Sequence, residues 1–173
     1  LGIYRDLAVG AALSSSDIWA NRSLYCEHIS IGAPPDVLGP QGQSWGLPPI
    51  SPAQLQKTAY QPFIDLLQSN MRHCGALRID HVLGLLRLWW VPDNATAVKG
   101  AYIYYPVHDM LNLLALESVR NQCLVIGEDL GTIPEGIDVL LKDAGVYSYK
   151  VFFYERAADG GFIAPQHYAK QAM

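Results

Sequence analysis

The chain has 173 residues, of which 50% are hydrophobic and only 16% charged, and its formal net charge is -4. This composition excludes an intrinsically disordered chain, which combines low hydrophobicity with high net charge. It also argues against a nucleic-acid-binding domain, because only 12 residues are basic and the net charge is negative. Since globular domains carry about 25% charged residues, the low charge and the Leu1 start predict an internal piece of a larger domain, with surfaces that its neighbours cover.

The first third of the chain is predicted to consist of short elements joined by loops. Residues 2–9 are typical of a strand, and residues 14–17 of a helix N-cap. Residues 32–52 hold six of the 11 prolines and four glycines, a density that neither a helix nor a central strand tolerates. Long loops in compact domains are usually functional, and the apolar residues around Trp45 favour an ordered lid over a solvated linker.

More regular elements are predicted after residue 50. Pro52 occupies the first position of a predicted helix. Gln61-Pro62 interrupts that helix and starts a second, whose end Gly75 is expected to cap. The sequence then predicts a strand over 76–80 and an aromatic loop over 81–106. These are followed by a helix over 109–121, a strand over 123–127, a helix over 134–143 and a strand over 147–154. This alternation implies parallel strands with crossover helices, so the predicted fold class is α/β, either a doubly wound sheet or a TIM barrel.

Two acidic motifs stand where parallel sheets place their sites, at the carboxyl ends of the strands. One predicted strand ends in RIDH at 78–81, and the next ends in GED at 127–129. Neighbouring strands are about 4.8 Å apart, and retaining glycosidases need two carboxyl groups roughly 5–5.5 Å apart. Asp80 and Glu128 are therefore candidates for a nucleophile and an acid/base.

Local context assigns these two roles. Arg78 lies two residues before Asp80, hence on the same face of the strand, and a guanidinium beside a carboxylate favours the ionised form that a nucleophile needs. Glu128 follows an apolar strand and precedes Asp129, and burial and a nearby negative charge both raise a carboxyl pKa, as an acid/base requires. The alternative is structural: an Arg78–Asp80 ion pair, with Glu128 capping the next helix.

Aromatic residues point to a sugar ligand. The four Trp and ten Tyr are concentrated in the predicted loops, and a flat ring matches the C–H face of a pyranose. Trp45 lies among glycines and polar residues and is predicted to be a sugar platform, whereas Trp89 and Trp90 follow a leucine-rich run and are predicted core residues. His81 is a candidate because it adjoins Asp80, with a structural histidine as the alternative.

Four segments carry a resemblance to a known family: GIYRDLAVG, GAPPDVLGPQGQSWGLPP, GALRIDHV and VIGEDLGT. They are similar to segments of the 4-α-glucanotransferases, also called amylomaltases or disproportionating enzymes, of the α-amylase superfamily. The resemblance covers essentially the whole chain and implies a catalytic TIM barrel that cleaves α-1,4-glucosidic bonds with retention. It implies no metal and no organic cofactor, and its implied partners are α-1,4-glucans such as maltose and malto-oligosaccharides.

The resemblance also implies roles for individual residues. Asp80 becomes the nucleophile and Glu128 the acid/base, while Arg78 holds Asp80 in place. Residues 35–45 become a lid over the acceptor side. Covering the site would exclude water and so favour transfer of the glycosyl group to another sugar. The substrate-binding residues expected besides Arg78 are Asp6, Asp36, Trp45, His81 and Asp129.

The domain expected from the resemblance is the central part of a catalytic barrel, residues 1–173. Residues 10–74 are expected to be an inserted loop and helical region with a lid loop at 32–48, and residues 75–173 a βαβαβ barrel segment. The family's third carboxylate, in a histidine–aspartate motif, does not occur between residues 154 and 173, and only about four of the eight barrel strands are predicted. An isolated piece of this kind is expected to be inactive.

Other functions remain open at this point. An α-glucan hydrolase would use the same two carboxylates, a degenerate relative would bind glucans without catalysis, and a doubly wound α/β protein would bind no carbohydrate. Three widely spaced cysteines predict no disulfide framework and hence a reducing compartment. With no signal peptide or membrane span predicted, we expect a cytoplasmic protein without membrane or nucleic-acid partners.

Overall fold

The computed structural model describes residues 2–37 and 39–173, whose strands form two four-stranded sheets. The first sheet is parallel and has the order β1-β4-β7-β8, with β1 at Ile3–Leu7, β4 at Cys74–Ile79, β7 at Leu124–Gly127 and β8 at Tyr147–Ser148. Its strands follow one another across the sheet in chain order. A doubly wound sheet reverses that order at a switch point, so this arrangement favours a barrel segment.

Helices connect the parallel strands. They are α1 at Ser16–Ala20, α2 at Pro52–Lys57, α3 at Gln61–Met71, α4 at Val107–Asn121 and α5 at Ile137–Asp143. The start of α2 is as predicted, because the Ser51 side chain accepts a hydrogen bond from the Gln54 N–H and Pro52 fills the first helical position. None of the described helices is both long and apolar enough to cross a membrane.

One hydrophobic core joins α2, α3, α4 and α5 to the parallel sheet. Leu67 and Met71 of α3, Leu77 of β4 and Leu114 of α4 are almost completely buried within it. Burying a side chain of this size stabilises the fold by about 1.5–3 kcal/mol. The core therefore holds β4 and β7 firmly, and with them the residues that follow the two strands.

The second sheet is antiparallel and has the order β3-β2-β5-β6, with β2 at Ile29–Ala33, β3 at Gln43–Leu47, β5 at Arg87–Pro92 and β6 at Ala101–Tyr104. Loops were predicted over 32–52 and 81–106, and both segments contain strands instead. The proline- and glycine-rich segment can hold β3 because β3 lies at the edge of the sheet.

The antiparallel sheet takes strands from both sides of the expected domain boundary. β2 and β3 fall within residues 10–74, whereas β5 and β6 fall within residues 75–173. Within residues 87–104, β5 and β6 therefore belong to the antiparallel sheet together with β2, and not to the parallel sheet. Leu1 and Leu38, the latter in the expected lid loop, lie outside the described residues.

Two further element predictions are wrong. α3 ends at Met71 and Gly75 lies inside β4, so Gly75 is not a helix cap. The last strand stops at Ser148, and Phe152–Tyr154 form a short 3-10 helix with exposed side chains. A strand of a parallel sheet is covered on both faces, and these three aromatic side chains have no such cover among the described residues.

Candidate active site

The two candidate acids follow neighbouring parallel strands. Ile79 at the end of β4 pairs with Gly127 at the end of β7, so Asp80 and Glu128 are the first residues beyond the two strands. Both line one cavity of about 320 Å³. The juxtaposition predicted from the two strand ends is therefore present, at the edge of the sheet where parallel α/β folds place their sites.

Backbone hydrogen bonds fix the position of Glu128 relative to the chain that follows Asp80. The Glu128 N–H donates to the Ile79 carbonyl and the Val82 N–H donates to the Glu128 carbonyl, each at 2.9 Å. The His81 N–H donates to Glu128 Oε2, also at 2.9 Å. His81 adopts a left-handed conformation with φ 49°, and this turn lets its N–H point at the neighbouring strand.

Gly127 allows this close approach. A Cβ at Gly127 would lie 2.8 Å from Cγ1 of Val82, which is closer than real Cβ contacts come. The absence of a side chain at this position lets the chain after β4 pack directly against the end of β7. The glycine immediately before Glu128 is therefore a packing requirement of the site.

Arg78 contacts two carboxylates and an aromatic ring. Its guanidinium contacts Asp80 Oδ1 at 3.0 Å and Asp6 Oδ1 at 2.6 Å, and it lies over the ring of Tyr149 at 5.2 Å. The Arg78 side chain is only 18% exposed, whereas that of Asp80 is 41% exposed. Asp6 is not among the residues that line the cavity, so its connection to the site runs through Arg78.

The electrostatic environments of Glu128 and His81 differ from those of free side chains. Burial is the largest influence on the pKa of Glu128 and raises it, and the charge of Asp80 raises it as well. Hydrogen bonds from the His81 and Leu130 N–H groups and the charge of Arg78 act in the opposite direction and lower it. Burial lowers the pKa of His81, against the opposing effect of Asp80. Glu128 therefore keeps its proton to a higher pH than an ordinary glutamate does.

Asp129 does not have the predicted influence on Glu128. Its Oδ2 accepts a hydrogen bond from the Ser148 hydroxyl at 2.6 Å, and it does not line the cavity. The negative charge that raises the pKa of Glu128 is that of Asp80. Consecutive residues leaving a strand point in opposite directions, which explains why sequence adjacency was misleading.

The β2–β3 hairpin brings Trp45 and Asp36 to the same cavity. Trp45 packs edge-on against the His81 ring, with ring centres 5.5 Å apart, and its Nε1 donates to Gln43 Oε1 at 2.9 Å. Asp36 lies in the loop of the hairpin, where its Oδ1 accepts a hydrogen bond from the Gly39 N–H. Of the predicted substrate-binding residues, the cavity is lined by Asp36, Trp45, Arg78 and His81.

The antiparallel sheet adds cavity residues that the sequence analysis missed. Trp89, predicted as a core residue, lines the cavity together with Arg87 and Tyr102, whereas Trp90 packs against the core as predicted. The sequence did contain a signal for this placement, because RLWWVP is rich in residues that favour strands, and in a strand Arg87 and Trp89 lie on the same face. Within residues 2–37 and 39–173, no three His, Cys, Asp or Glu side chains gather as a metal site.

Comparison with known proteins shows that this chain is similar to members of one enzyme family. Residues 1–173 match the family described as 4-alpha-glucanotransferase. The 4-alpha-glucanotransferase of Haemophilus influenzae is 49% identical over 172 residues, and that of Mycobacterium tuberculosis is 40% identical over 161 residues. The two alignments cover 99% and 93% of this chain, but 24% and 22% of the relatives. The chain thus spans about a quarter of the length of the curated relatives it matches.

Two solved structures share the fold. Amylomaltase from Corynebacterium glutamicum is 36% identical with a TM-score of 0.86, covering 90% of this chain and 22% of that one. Amylomaltase from Streptococcus agalactiae, in complex with acarbose, is 24% identical with a TM-score of 0.85, covering 99% of this chain and 36% of that one. The predicted α/β class is confirmed, and the parallel sheet is part of a TIM barrel. With its full length matched, the chain belongs to the 4-alpha-glucanotransferase family, glycoside hydrolase family 77.

Proposed function

We propose that the protein containing this chain transfers α-1,4-glucan segments between malto-oligosaccharides by a retaining double displacement, with Asp80 as nucleophile and Glu128 as acid/base. The observation that carries the proposal is the juxtaposition of these two carboxyl groups in one cavity, beyond strands paired through Ile79 and Gly127. Such neighbouring carboxyl groups are what retention of configuration requires.

In the first step the Asp80 carboxylate attacks the anomeric carbon of the donor, and the glycosidic C–O bond breaks. Glu128 gives its proton to the departing sugar oxygen. In the second step the Glu128 carboxylate takes a proton from the hydroxyl of an incoming sugar, whose oxygen attacks the anomeric carbon and releases Asp80. The raised pKa of Glu128 supports the first role, because the residue must enter the cycle protonated.

Arg78 is proposed to hold Asp80 in place, since its 3.0 Å ion pair restricts the carboxylate. Asp6 would contribute through the same guanidinium. The lid role proposed for the β2–β3 hairpin is supported by Trp45 and Asp36, which line the cavity. A covered cavity admits a sugar that can stack and excludes water, and this favours transfer over hydrolysis.

The remaining proposals concern the setting of this reaction. We propose α-1,4-glucans, including maltose and longer malto-oligosaccharides, as partners, and residues 1–173 as a central part of the catalytic barrel. Sugar contacts by Asp36 and His81 follow from their place in the cavity lining, whereas Asp129 would act through Ser148. A cytoplasmic location is proposed because the three described cysteines are all free, and cell fractionation tests it.

The decisive experiment traps the glycosyl–enzyme intermediate in the full-length protein. A slow fluorinated maltosyl donor is expected to leave one maltosyl group on the protein, and peptide mass mapping is expected to find it on Asp80. The Asp80→Asn variant should remain unlabelled and release no glucose from maltotriose. Asp143→Asn, an exposed carboxyl at the end of α5, is the matched control and should label normally.

Product analysis separates the transferase from its alternatives. Incubation with maltotriose is expected to yield glucose together with a ladder of longer glucans. Glucose and maltose without longer products would mean a hydrolase that uses the same carboxylates. Binding of maltotriose without any adduct would mean a non-catalytic relative, and labelling at another residue would reject Asp80 as the nucleophile.

A further inference from the structure

The face of the antiparallel sheet that meets the cavity presents three large side chains. Arg87 and Trp89 share one face of β5, Tyr102 lies opposite Trp89 on β6, and all three line the cavity that holds Asp80. We propose that Arg87, held on the ring of Tyr102, forms a glucose-binding subsite for the glucan chain. This inference rests on the proposed function of the same cavity.

The Arg87 guanidinium is held in place from several directions. Its central carbon lies 3.8 Å from the centre of the Tyr102 ring, within the range of a cation–π interaction. Its Nη2 donates to the Thr132 carbonyl at 3.3 Å, and its Nη1 approaches the Tyr104 hydroxyl at 3.4 Å. In the part of the chain that the structure describes, no carboxylate pairs with this charge, so N–H donors are left for a ligand.

The ring beneath the guanidinium is also fixed. Trp89 packs edge-on against Tyr102 with ring centres 4.9 Å apart, and its Nε1 donates to the Ala97 carbonyl at 2.9 Å. Gly100 makes room for this arrangement, since a Cβ there would lie 2.4 Å from Trp89 Nε1. Such a preorganised wall binds a ligand without the cost of ordering its side chains.

The chemistry of the surroundings selects a neutral polyol. A planar guanidinium presents parallel N–H donors, and these match two neighbouring hydroxyl oxygens of a glucose ring. An isolated arginine over an aromatic ring would also suit a phosphate. The same cavity contains the carboxyl groups of Asp36 and Asp80, however, and their charges disfavour an anionic ligand.

Arg87 is a binding residue in this proposal, not a positioning residue. Its bond to Thr132 connects it to the loop that follows Glu128, so a positioning role through that loop would change kcat and its pH profile. A binding role instead raises KM and weakens equilibrium binding while kcat changes little. The two roles therefore predict different measurements.

The test uses the full-length protein and maltotriose as the probe. Binding is measured by calorimetry in the Asp80→Asn background, where turnover does not interfere, with and without Arg87→Met. Loss of hydrogen bonds from a charged donor is expected to weaken binding about tenfold or more. In the active background, Arg87→Met should raise KM by about the same factor with kcat within about threefold. Arg72→Met, an exposed arginine at the end of α3, should change neither.

A second variant keeps the test informative if Arg87→Met folds poorly. Arg87→Lys keeps the charge and the aliphatic stem but not the planar fork, and it is also expected to weaken maltotriose binding. Normal binding by either folded variant overturns the subsite, as does a loss confined to kcat. If the unsubstituted protein forms no adduct at Asp80, the proposed reaction fails, whereas the calorimetric comparison still decides whether Arg87 binds the sugar.

Discussion

The two sheets contribute different chemistry to one cavity. The parallel sheet supplies charge, through Arg78 within β4 and through Asp80 and Glu128 beyond the strand ends. The antiparallel sheet supplies flat surfaces, through Trp89 and Tyr102. In the proposed reaction, the groups for bond cleavage thus come from strand ends tied by backbone pairing, and the groups proposed for recognition come from the face of a separate sheet.

Removing the proposed acid/base, Glu128, is the largest expected disruption of the parallel side. Glu128→Gln should lower kcat on maltotriose by about 10²–10⁴-fold, because the leaving sugar oxygen is no longer protonated. A maltosyl fluoride donor needs no such proton, so the first step on it should survive, measured as a burst of fluoride. Asp143→Asn is again the control, and equal losses with both donors would contradict the acid role.

Overpacking at Gly127 tests the parallel sheet without changing a charge. Gly127→Ala should destabilise the fold by about 1–3 kcal/mol, because the new methyl group would meet Val82. The loss appears as a lower midpoint of thermal unfolding. Combining it with Val82→Ala should recover part of the stability lost by the glycine change. An unchanged midpoint for Gly127→Ala alone would show that the chain after β4 yields easily.

The corresponding change in the antiparallel sheet should affect binding instead. Gly100→Ala places a methyl group against the Trp89 ring, so we expect KM for maltotriose to rise about fivefold, equivalent to about 1 kcal/mol, with little change in kcat. Steady-state kinetics on the same preparations used for Gly127→Ala makes the contrast direct. A fall in kcat with unchanged KM would contradict the division between the two sheets.

The smallest effect concerns stability as a function of pH. Because folding raises the pKa of Glu128 above its ordinary value of 4.5, the folded state holds this proton more tightly than the unfolded state. Its contribution to stability is present below the ordinary value and is lost as pH rises through the folded pKa. The unfolding midpoint of Glu128→Gln, measured relative to that of the unsubstituted protein, should therefore increase as pH rises from about 4 to about 8. A constant difference would contradict the raised pKa.

Prediction from sequence succeeded where the signal is local. The first turns of α2 and α3 follow from Ser51, Pro52 and Pro62, and the meeting of Asp80 with Glu128 follows from two apolar strands that end in acids. These features need only short stretches of chain and the general rule that parallel strands meet at their carboxyl ends.

The antiparallel sheet was missed because its pairing is remote in sequence. β2 aligns with β5 so that Gly32 lies opposite Trp89, and nothing within either segment indicates the other. The same cause hid Arg87 and Tyr102, whose contact needs β5 and β6 to pair across an intervening turn. Side-chain direction beyond a strand end, as at Asp129, also depends on a partner elsewhere, here Ser148.

The hydrogen bond from the His81 N–H to Glu128 has a practical consequence for mutational scans of this site. Its donor is main chain, so every replacement of His81 except proline keeps it, and proline cannot adopt the φ of 49° found there. A scan of side-chain substitutions would therefore not detect the effect of this hydrogen bond, although the bond lowers the pKa of Glu128. Exchanging that amide for an ester by chemical synthesis would expose its contribution.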